Sequence, residues 1–241
     1  MAKNPAEAPS EVAQPPITGI SSMATRHLLA ELAAAFTERS GMRVAIESAG
    51  GVDARKRVEA GEDFDVVFLA SEAIDGLMAG GHLAPGSRVD LVRSKIAIAV
   101  PAGSPRPDVG SEEGVRRAVL AARSVGHSTG PSGVHLQKLF ERWGIAEKIE
   151  ARLMKAPPGV PVGTLVARGD VTLGFQQLSE LLGLDGIQVV GTLPPPIEHV
   201  TVFSAGIGAR SQNAAAAREM LAFMASSDTA AVKRRHGMEP A

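Results

Sequence analysis

Short apolar segments alternate with amphipathic helical segments along most of this 241-residue chain, and this alternation limits the possible folds more than any other feature. In the first unit, an apolar strand at residues 17–20 leads into a helix that ends near Arg39. Leu28, Leu32 and Phe36 fall on one face of that helix, which predicts that this face packs on a sheet. Strands that alternate with helices favour a mainly parallel sheet covered by helices. We therefore predict an α/β protein.

A proline-rich segment at residues 101–107 interrupts the alternation and predicts a division into two lobes. A second series of strands and helices follows it, and a later strand at residues 199–204 is placed to return to the first sheet. We predict that residues 17–100 and 199–241 form lobe 1. Residues 101–198 would then form lobe 2, inserted into lobe 1, with two strands crossing between the lobes.

The first 16 residues are rich in alanine, proline and glutamate, and we predict a flexible leader over residues 1–16. They lack the apolar stretch of a signal peptide, so the compartment stays open at this point. We expect a periplasmic protein if a signal peptide was removed from this chain. If Met1 is the native start, we expect a cytoplasmic one.

The composition excludes several classes of function. The 25 basic and 26 acidic residues are evenly mixed, so we expect no nucleic-acid partner and no direct membrane insertion. The chain has no cysteine, and none of its six histidines has metal-ligand spacing to another histidine or a carboxylate. Phosphate-binding loops, dinucleotide fingerprints and the serine elbow of hydrolases are also missing. We therefore expect no metal and no cofactor.

Small and hydrogen-bonding residues concentrate where strands are predicted to pass into helices. Ligands of open α/β sheets bind at such corners, where helix N-termini present free N–H groups. Each corner alone is equally compatible with an ordinary cap or turn. The ligand-binding residues that we predict are Ser21, Ser22, Met23 and Arg26 at the first corner, Gly50, Gly51 and Val52 at the second, Ser71 as a later cap, Thr129, Gly130, Ser132 and Gly133 in the third, and Val162, Gln176 and Gln177 near the fourth.

Two of these residues carry more specific expectations. Ser132 is placed to cap the helix that follows the third corner. Arg26 lies in the first turn of the first helix, where its positive charge opposes the helix dipole. It is either a solvated arginine or a clamp for a ligand carboxylate.

Four stretches together resemble one family. They are the strand–Ser–Ser–helix opening, residues 58–61 with 64–71, residues 166–175 and residues 236–240. From about Ile17 to its C-terminus the chain resembles the type-II periplasmic binding proteins of the molybdate-type subgroup. The resemblance implies two lobes, each a mostly parallel sheet flanked by helices, that close around a small anion. Closure would occur at the crossovers, residues 101–107 and 194–199, and an ABC transporter permease would be the partner if the protein is exported.

The chain also departs from the molybdate pattern. Ala49, Gly50 and Gly51 stand where that pattern offers hydroxyl groups, and the expected tyrosine is replaced at about Gln177. The replacements enlarge the cleft and supply amide groups. The resemblance with these departures predicts a solute-binding protein for a small organic anion, such as a polycarboxylate, rather than for molybdate.

Aconitate isomerases are similar to this subgroup, which makes an isomerase of an unsaturated polycarboxylate the alternative function. Such an enzyme needs a base that moves a proton between carbons and donors that stabilise the enolate-like state. The candidates for the base are His27, Glu47 or a serine, with Arg26 as the carboxylate clamp. The sequence alone assigns none of them as catalytic.

Overall fold

The computed structural model describes residues 15–157 and 159–241, so most of the predicted leader lies outside the described residues. Ten strands and ten α-helices form within them. The strands are β1 (Ile17–Ser22), β2 (Val44–Ala49), β3 (Val66–Ala70), β4 (Val89–Pro101), β5 (Val125–His127), β6 (Leu153–Lys155), β7 (Leu173–Gln177), β8 (Ile187–Thr192), β9 (Val200–Ile207) and β10 (Glu239–Pro240). The helices are α1 (Arg26–Ser40), α2 (Gly51–Glu59), α3 (Ser71–Ala79), α4 (Glu112–Ala121), α5 (Pro131–Arg142), α6 (Ala146–Ile149), α7 (Val162–Ala167), α8 (Leu178–Leu181), α9 (Ala214–Ala225) and α10 (Ala230–Arg235).

The strands form one curled sheet in the order β2-β1-β3-β9-β4-β7-β5-β6, with β8 and β10 paired to β4 outside this path. The groups β2-β1-β3 and β6-β5-β7 are parallel, and helices flank them. The connecting strands β9 and β4 run antiparallel to their neighbours. The α/β fold is therefore confirmed, with two parallel groups that are joined by antiparallel strands.

Strand β4 contributes to both halves of the sheet. Its residues from Val89 to Lys95 pair with β9, whereas those from Ile96 to Pro101 pair with β7 and β8. The chain thus crosses inside β4, and the predicted crossover at residues 101–107 is wrong because those residues follow the crossing. Strand β9 also pairs with β3, as we expected for a strand that returns to the first sheet.

The buried apolar side chains form separate clusters on either side of this crossing. Two clusters draw only on residues up to Val92 and from Phe203 onward. The others draw on residues between Ile96 and Ile197. The predicted stripe of α1 is buried in the first group, including Leu28 and Phe36. The proposed boundary between the lobes therefore lies inside β4, between Lys95 and Ile96.

Asp65 ties three elements of the first group together. Its carboxylate accepts hydrogen bonds from the Thr18 backbone N–H at 2.8 Å, from the Ser211 hydroxyl at 2.6 Å and from the Asn213 amide at 3.1 Å. Burial alone would raise the pKa of Asp65, but these hydrogen bonds outweigh it and lower the pKa. The carboxylate is therefore charged and stabilising at neutral pH.

Several local predictions are wrong at the element ends. Strand β1 continues to Ser22 because it pairs with β2 over its full length, and a 3-10 turn (Met23–Thr25) separates it from α1. Ser21 is thus a strand residue and not a helix cap. Proline favours the first helical position, so α5 begins at Pro131 with Gly130 as its cap, and Ser132 lies inside the helix.

Other differences concern whole segments. Ser71 is the first residue of α3, and Ala70 occupies the cap position. The sequence pattern predicts a strand near residues 150–154, but helix α6 and a 3-10 turn (Glu150–Arg152) occupy the start of that region, and β6 begins only at Leu153. Strands β8 and β10 were not predicted, and both form by pairing with β4. Among the described residues, the helices are too short or too polar to cross a membrane.

Candidate functional site

Two adjoining cavities lie where the two halves of the sheet meet. The inner cavity has a volume of about 80 Å³, and the outer cavity has a volume of about 570 Å³. The inner cavity is bounded by Ser22, Gly50, Ser132, Gln176, Gln177 and Glu180. The outer cavity is bounded by Val52, Ser71, Val134, His135, Lys138 and His199. Both are lined by Ser22, Gly51, Thr129, Gly130, Pro131 and Phe203, so they form one continuous cleft.

Most of the residues that we predicted from the sequence line this cleft. The inner cavity brings together Ser22, Met23, Gly50, Gly51, Thr129, Gly130, Ser132, Gln176 and Gln177. The outer cavity adds Val52 and Ser71. The residues that line neither cavity are Ser21, Arg26, Gly133 and Val162.

Ser21 and Ser22 face different surroundings although they are neighbours. Successive side chains of a strand point to opposite faces of the sheet. The Ser21 hydroxyl is fully buried and lies 2.7 Å from the Ser48 hydroxyl of β2. Ser22, at the end of β1, lines both cavities. Only the second serine of the pair is therefore available to a ligand.

Buried contacts hold the third corner in a tight turn. His127 has its Nδ1 atom 2.9 Å from the Ser128 carbonyl oxygen, which accepts only, so this nitrogen carries the proton. Burial is the main cause of the lowered pKa of His127, which keeps the ring neutral. A side chain at Gly133 would place its Cβ 1.9 Å from that carbonyl oxygen. The missing side chain of Gly133 and the hydrogen bond of His127 thus both stabilise the turn. Within the turn, the Ser132 hydroxyl lies 2.8 Å from the Ser128 hydroxyl.

The two glutamines at the end of β7 are buried and held by different partners. The Gln177 amide Nε2 donates to the Thr201 hydroxyl at 2.9 Å, whereas its Oε1 has no hydrogen-bond partner among the described residues. Because a hydroxyl both donates and accepts, the amide can turn over and give its NH₂ group to a ligand. Gln177 therefore offers the inner cavity a hydrogen-bonding atom of either kind.

Gln176 connects the backbone to a carboxyl group that we did not predict. Its Oε1 accepts from the Gly163 backbone N–H at 3.2 Å, and its Nε2 donates to Glu180 Oε1 at 2.7 Å. Burial raises the pKa of Glu180 to about 7, although the bond from Gln176 and the charge of Arg26 act in the opposite direction. Glu180 lines the inner cavity and is half protonated near neutral pH.

Glu180 lies four residues after Gln176, but Gln176 belongs to strand β7 and Glu180 to the short helix α8, so no helical spacing in the sequence connected them. The fourth predicted corner covers residues 175–179 and so ends one residue before Glu180. The Ser179 hydroxyl donates to the Ala24 carbonyl at 2.8 Å, so the short helix α8 lies against the turn that follows β1.

Two of the candidates for a base that we named from the sequence, His27 and Glu47, lie away from the cleft, whereas serines such as Ser22 and Ser132 line it. His27 is exposed and lies 3.0 Å from an Arg26 guanidinium nitrogen. Glu47 is exposed and paired with Arg57. Neither His27 nor Glu47 lines either cavity, and Arg26 lines none either. The described residues contain no group of three histidine or acidic side chains that could hold a metal ion.

The first residues of two helices line the boundary between the two cavities. Helix α2 begins at Gly51 and α5 at Pro131, and both of these residues line both cavities. The first turn of a helix carries free N–H groups and the positive end of the helix dipole. Two helix starts from opposite halves of the sheet therefore converge on a site that suits an anion.

The α/β fold with helix N-termini that face each other across a cleft defines a binding protein of the type-II periplasmic class. The chain belongs to the family of bacterial extracellular solute-binding proteins, whose family model matches residues 17–239. It is 36% identical to an aconitate isomerase of Pseudomonas sp over 243 residues, which cover 98% of this chain and 92% of that enzyme.

Solved structures with lower sequence identity share the fold. The periplasmic molybdate-binding protein of Azotobacter vinelandii superposes with a TM-score of 0.77 at 22% identity, over 92% of this chain and 98% of that chain. The L-phospholactate-bound PEB3 protein of Campylobacter jejuni superposes with a TM-score of 0.69 at 14% identity, over 92% of this chain and 99% of that chain. At these identities, the likeness shows the fold alone.

Proposed function

We propose that this protein binds a small unsaturated polycarboxylate in the inner cavity and isomerises it, with aconitate as the substrate to test first. The observation that carries the proposal is Glu180, a carboxyl group with a pKa of about 7 inside a cleft that otherwise suits anions. The similarity to an aconitate isomerase over nearly the whole chain supports the same substrate class.

A group that takes up and returns a proton works best when its pKa lies near the operating pH. In the reaction that we propose, the Glu180 carboxylate takes a proton from a methylene carbon next to the double bond of cis-aconitate. The electron pair of that C–H bond spreads over the neighbouring double bond and carboxylate. Glu180 then returns the proton to the other end of the three-carbon unit, and the double bond shifts. No other reactant is needed.

The enolate-like state carries additional negative charge on a substrate carboxylate. The helix starts at Gly51 and Pro131 place positive partial charge next to the inner cavity, where they can stabilise that charge. Ser22 and the Gln177 amide, whose Oε1 has no partner among the described residues, are further groups that can hydrogen-bond the substrate. Gln176 holds Glu180 at 2.7 Å, which orients its carboxyl group.

The direct test follows the conversion of cis-aconitate into trans-aconitate by NMR in D₂O. We expect the unchanged protein to convert cis-aconitate and to incorporate deuterium into the product. For Glu180→Gln we expect kcat to fall at least about 100-fold, since a positioned acid–base group contributes about 10²–10⁴-fold. The matched control is Glu147→Gln, at an exposed position that lines neither cavity. Full turnover by Glu180→Gln would refute the role of this residue.

The second candidate function is solute binding without chemistry, which the family membership and the fold both favour. In this case a small organic anion would bind between the lobes and pass to an ABC transporter permease. Saturable binding of cis-aconitate that leaves the ligand unaltered would support it. We expect Ser22→Ala and Gln177→Ala to weaken binding in either function, because both residues line the inner cavity. If neither substitution weakens binding, the assignment of the cleft is wrong.

A further inference from the structure

The outer cavity contains a feature that the isomerisation itself does not use. Four residues of α5 line it, Pro131, Val134, His135 and Lys138, at the spacing of one helical face. Lys138 therefore lies about 10 Å along the helix from the N-terminus that faces the inner cavity. Side chains of a helix lean toward its N-terminus, so the long Lys138 side chain can reach back toward that end.

One cation of the outer cavity is available to an anionic ligand. Three charged residues line it, Arg55, Glu72 and Lys138. Arg55 is bonded to Glu59 at 2.8 Å, whereas Lys138 has no ion-pair partner among the residues that the structure describes. The His135 Nε2 atom donates to the Ile197 carbonyl at 3.1 Å, and its ring stacks on His199 with centroids 4.6 Å apart. These contacts leave Lys138 as the unpaired cation of this cavity.

The outer cavity is also lined by polar side chains such as Ser71 and Thr201, but two of its apolar side chains are unusually exposed. Val52 is 45% exposed and Val134 is 49% exposed, and they come from opposite sides of the cleft. An apolar wall that ends at a free ammonium group suits a short hydrocarbon arm that carries a carboxylate. The cavity is continuous with the inner one through Gly51 and Gly130, so one ligand can occupy both.

We infer that the outer cavity is the subsite for a carboxylate arm remote from the reacting carbon, with Lys138 as its counter-ion. The inference rests on the proposed function and deepens it, because this subsite would select tricarboxylates over shorter dicarboxylates. One helix would then serve both ends of the substrate. Its N-terminus faces the carboxylate near the reacting carbon, and Lys138 faces the remote one.

The test measures binding of tricarballylate, a saturated tricarboxylate that has no double bond to shift, by isothermal titration calorimetry. We expect Lys138→Ala to weaken tricarballylate binding at least about tenfold, the usual effect of one charge-assisted hydrogen bond. Binding of succinate, which lacks the third arm, should change less than about twofold. The control Lys148→Ala removes an exposed lysine that lines neither cavity and should bind both ligands as the unchanged protein does.

Any other outcome would contradict the assignment of this subsite. Unchanged tricarballylate binding by Lys138→Ala contradicts it, and so does an equal loss for succinate or an equal loss in Lys148→Ala. Circular dichroism and the melting temperature check that the variants fold. The proposed function fails separately, because a protein that binds tricarballylate through Lys138 but does not convert cis-aconitate has the subsite without the isomerase activity.

Discussion

Replacing Glu180 by glutamine should make the protein more stable at alkaline pH while it removes the proposed activity. The carboxyl group has a pKa of about 7 in the folded protein, against an ordinary value of 4.5. A folded state that holds the proton more tightly than the unfolded chain loses stability as the pH rises between these two values. Below pH 4.5 the full contribution is present, and above pH 7 it has been lost.

The magnitude follows from the difference between the two pKa values. They differ by about 2.5, and each unit corresponds to about 1.4 kcal/mol, so the charged form of Glu180 costs about 3 kcal/mol of folding free energy at pH 8. Glutamine keeps the shape of the side chain and can still accept the hydrogen bond from Gln176 at Glu180 Oε1. It carries no charge, so the variant avoids that cost.

Urea denaturation at pH 4.5 and at pH 8 measures the effect. We expect Glu180→Gln to equal the unchanged protein within about 1 kcal/mol at pH 4.5 and to exceed it by about 2–3 kcal/mol at pH 8. Glu147→Gln, the exposed control, should show no such pH dependence. A variant that is no more stable than the unchanged protein at pH 8 would refute the argument that burial raises the pKa of Glu180.

Four further predictions concern the turn, the buried carboxylate, the ligand and the pH profile. Gly133→Ala should lower the free energy of unfolding by about 3 kcal/mol in urea denaturation, because its methyl group meets the Ser128 carbonyl oxygen at 1.9 Å, and Gly130→Ala, with nothing closer than 3.9 Å, should lose far less. Asp65→Asn should cost about 2 kcal/mol at pH 7, and since the pKa of Asp65 is lowered, the difference should shrink as the pH falls below about 4, where the unchanged protein loses this stabilisation. In a thermal-shift screen, tricarballylate at about 100 times its Kd should raise the melting temperature by about 5 °C or more, and a shift with molybdate or tungstate alone would contradict the inferred change of ligand. The value of kcat/KM for cis-aconitate should rise with an apparent pKa near 7, and a flat profile from pH 5 to pH 9 would exclude Glu180 as the base.

The fold could be predicted where the pattern along the chain was local. The apolar stripe of α1 and the apolar run of β3 follow from periodicity, and both are buried. The apolar pattern predicts a strand only over residues 95–100, about half of β4, because Arg93 and Ser94 interrupt the apolar run before it. Those residues are in strand conformation because β9 lies alongside, and β9 is about 100 residues away in the sequence.

In the candidate site, too, local sequence features predict some residues and leave others out. Glycines and hydroxyl groups at strand ends marked Ser22, Gly51 and Gly130 because the corners of α/β sheets are local features. No local sequence feature of this kind predicts Glu180, because its raised pKa comes from burial, which depends on distant parts of the chain. One such contact is the bond from Ser179 to the Ala24 carbonyl, between positions that are 155 residues apart.

The course of β4 has a consequence for how the protein can be divided. A cut in the exposed loop just after Pro101 would leave β4 whole on the first fragment, with the strands β7, β8 and β9 that pair with it on the second. Neither fragment could complete its core alone, because β4 would be separated from the strands that pair with it. Joined again they would rebuild the cleft, since Gly51 comes from one fragment and Gly130 from the other. The chain is therefore suited to a split reporter in which the ligand of the cleft promotes reassembly of the two fragments.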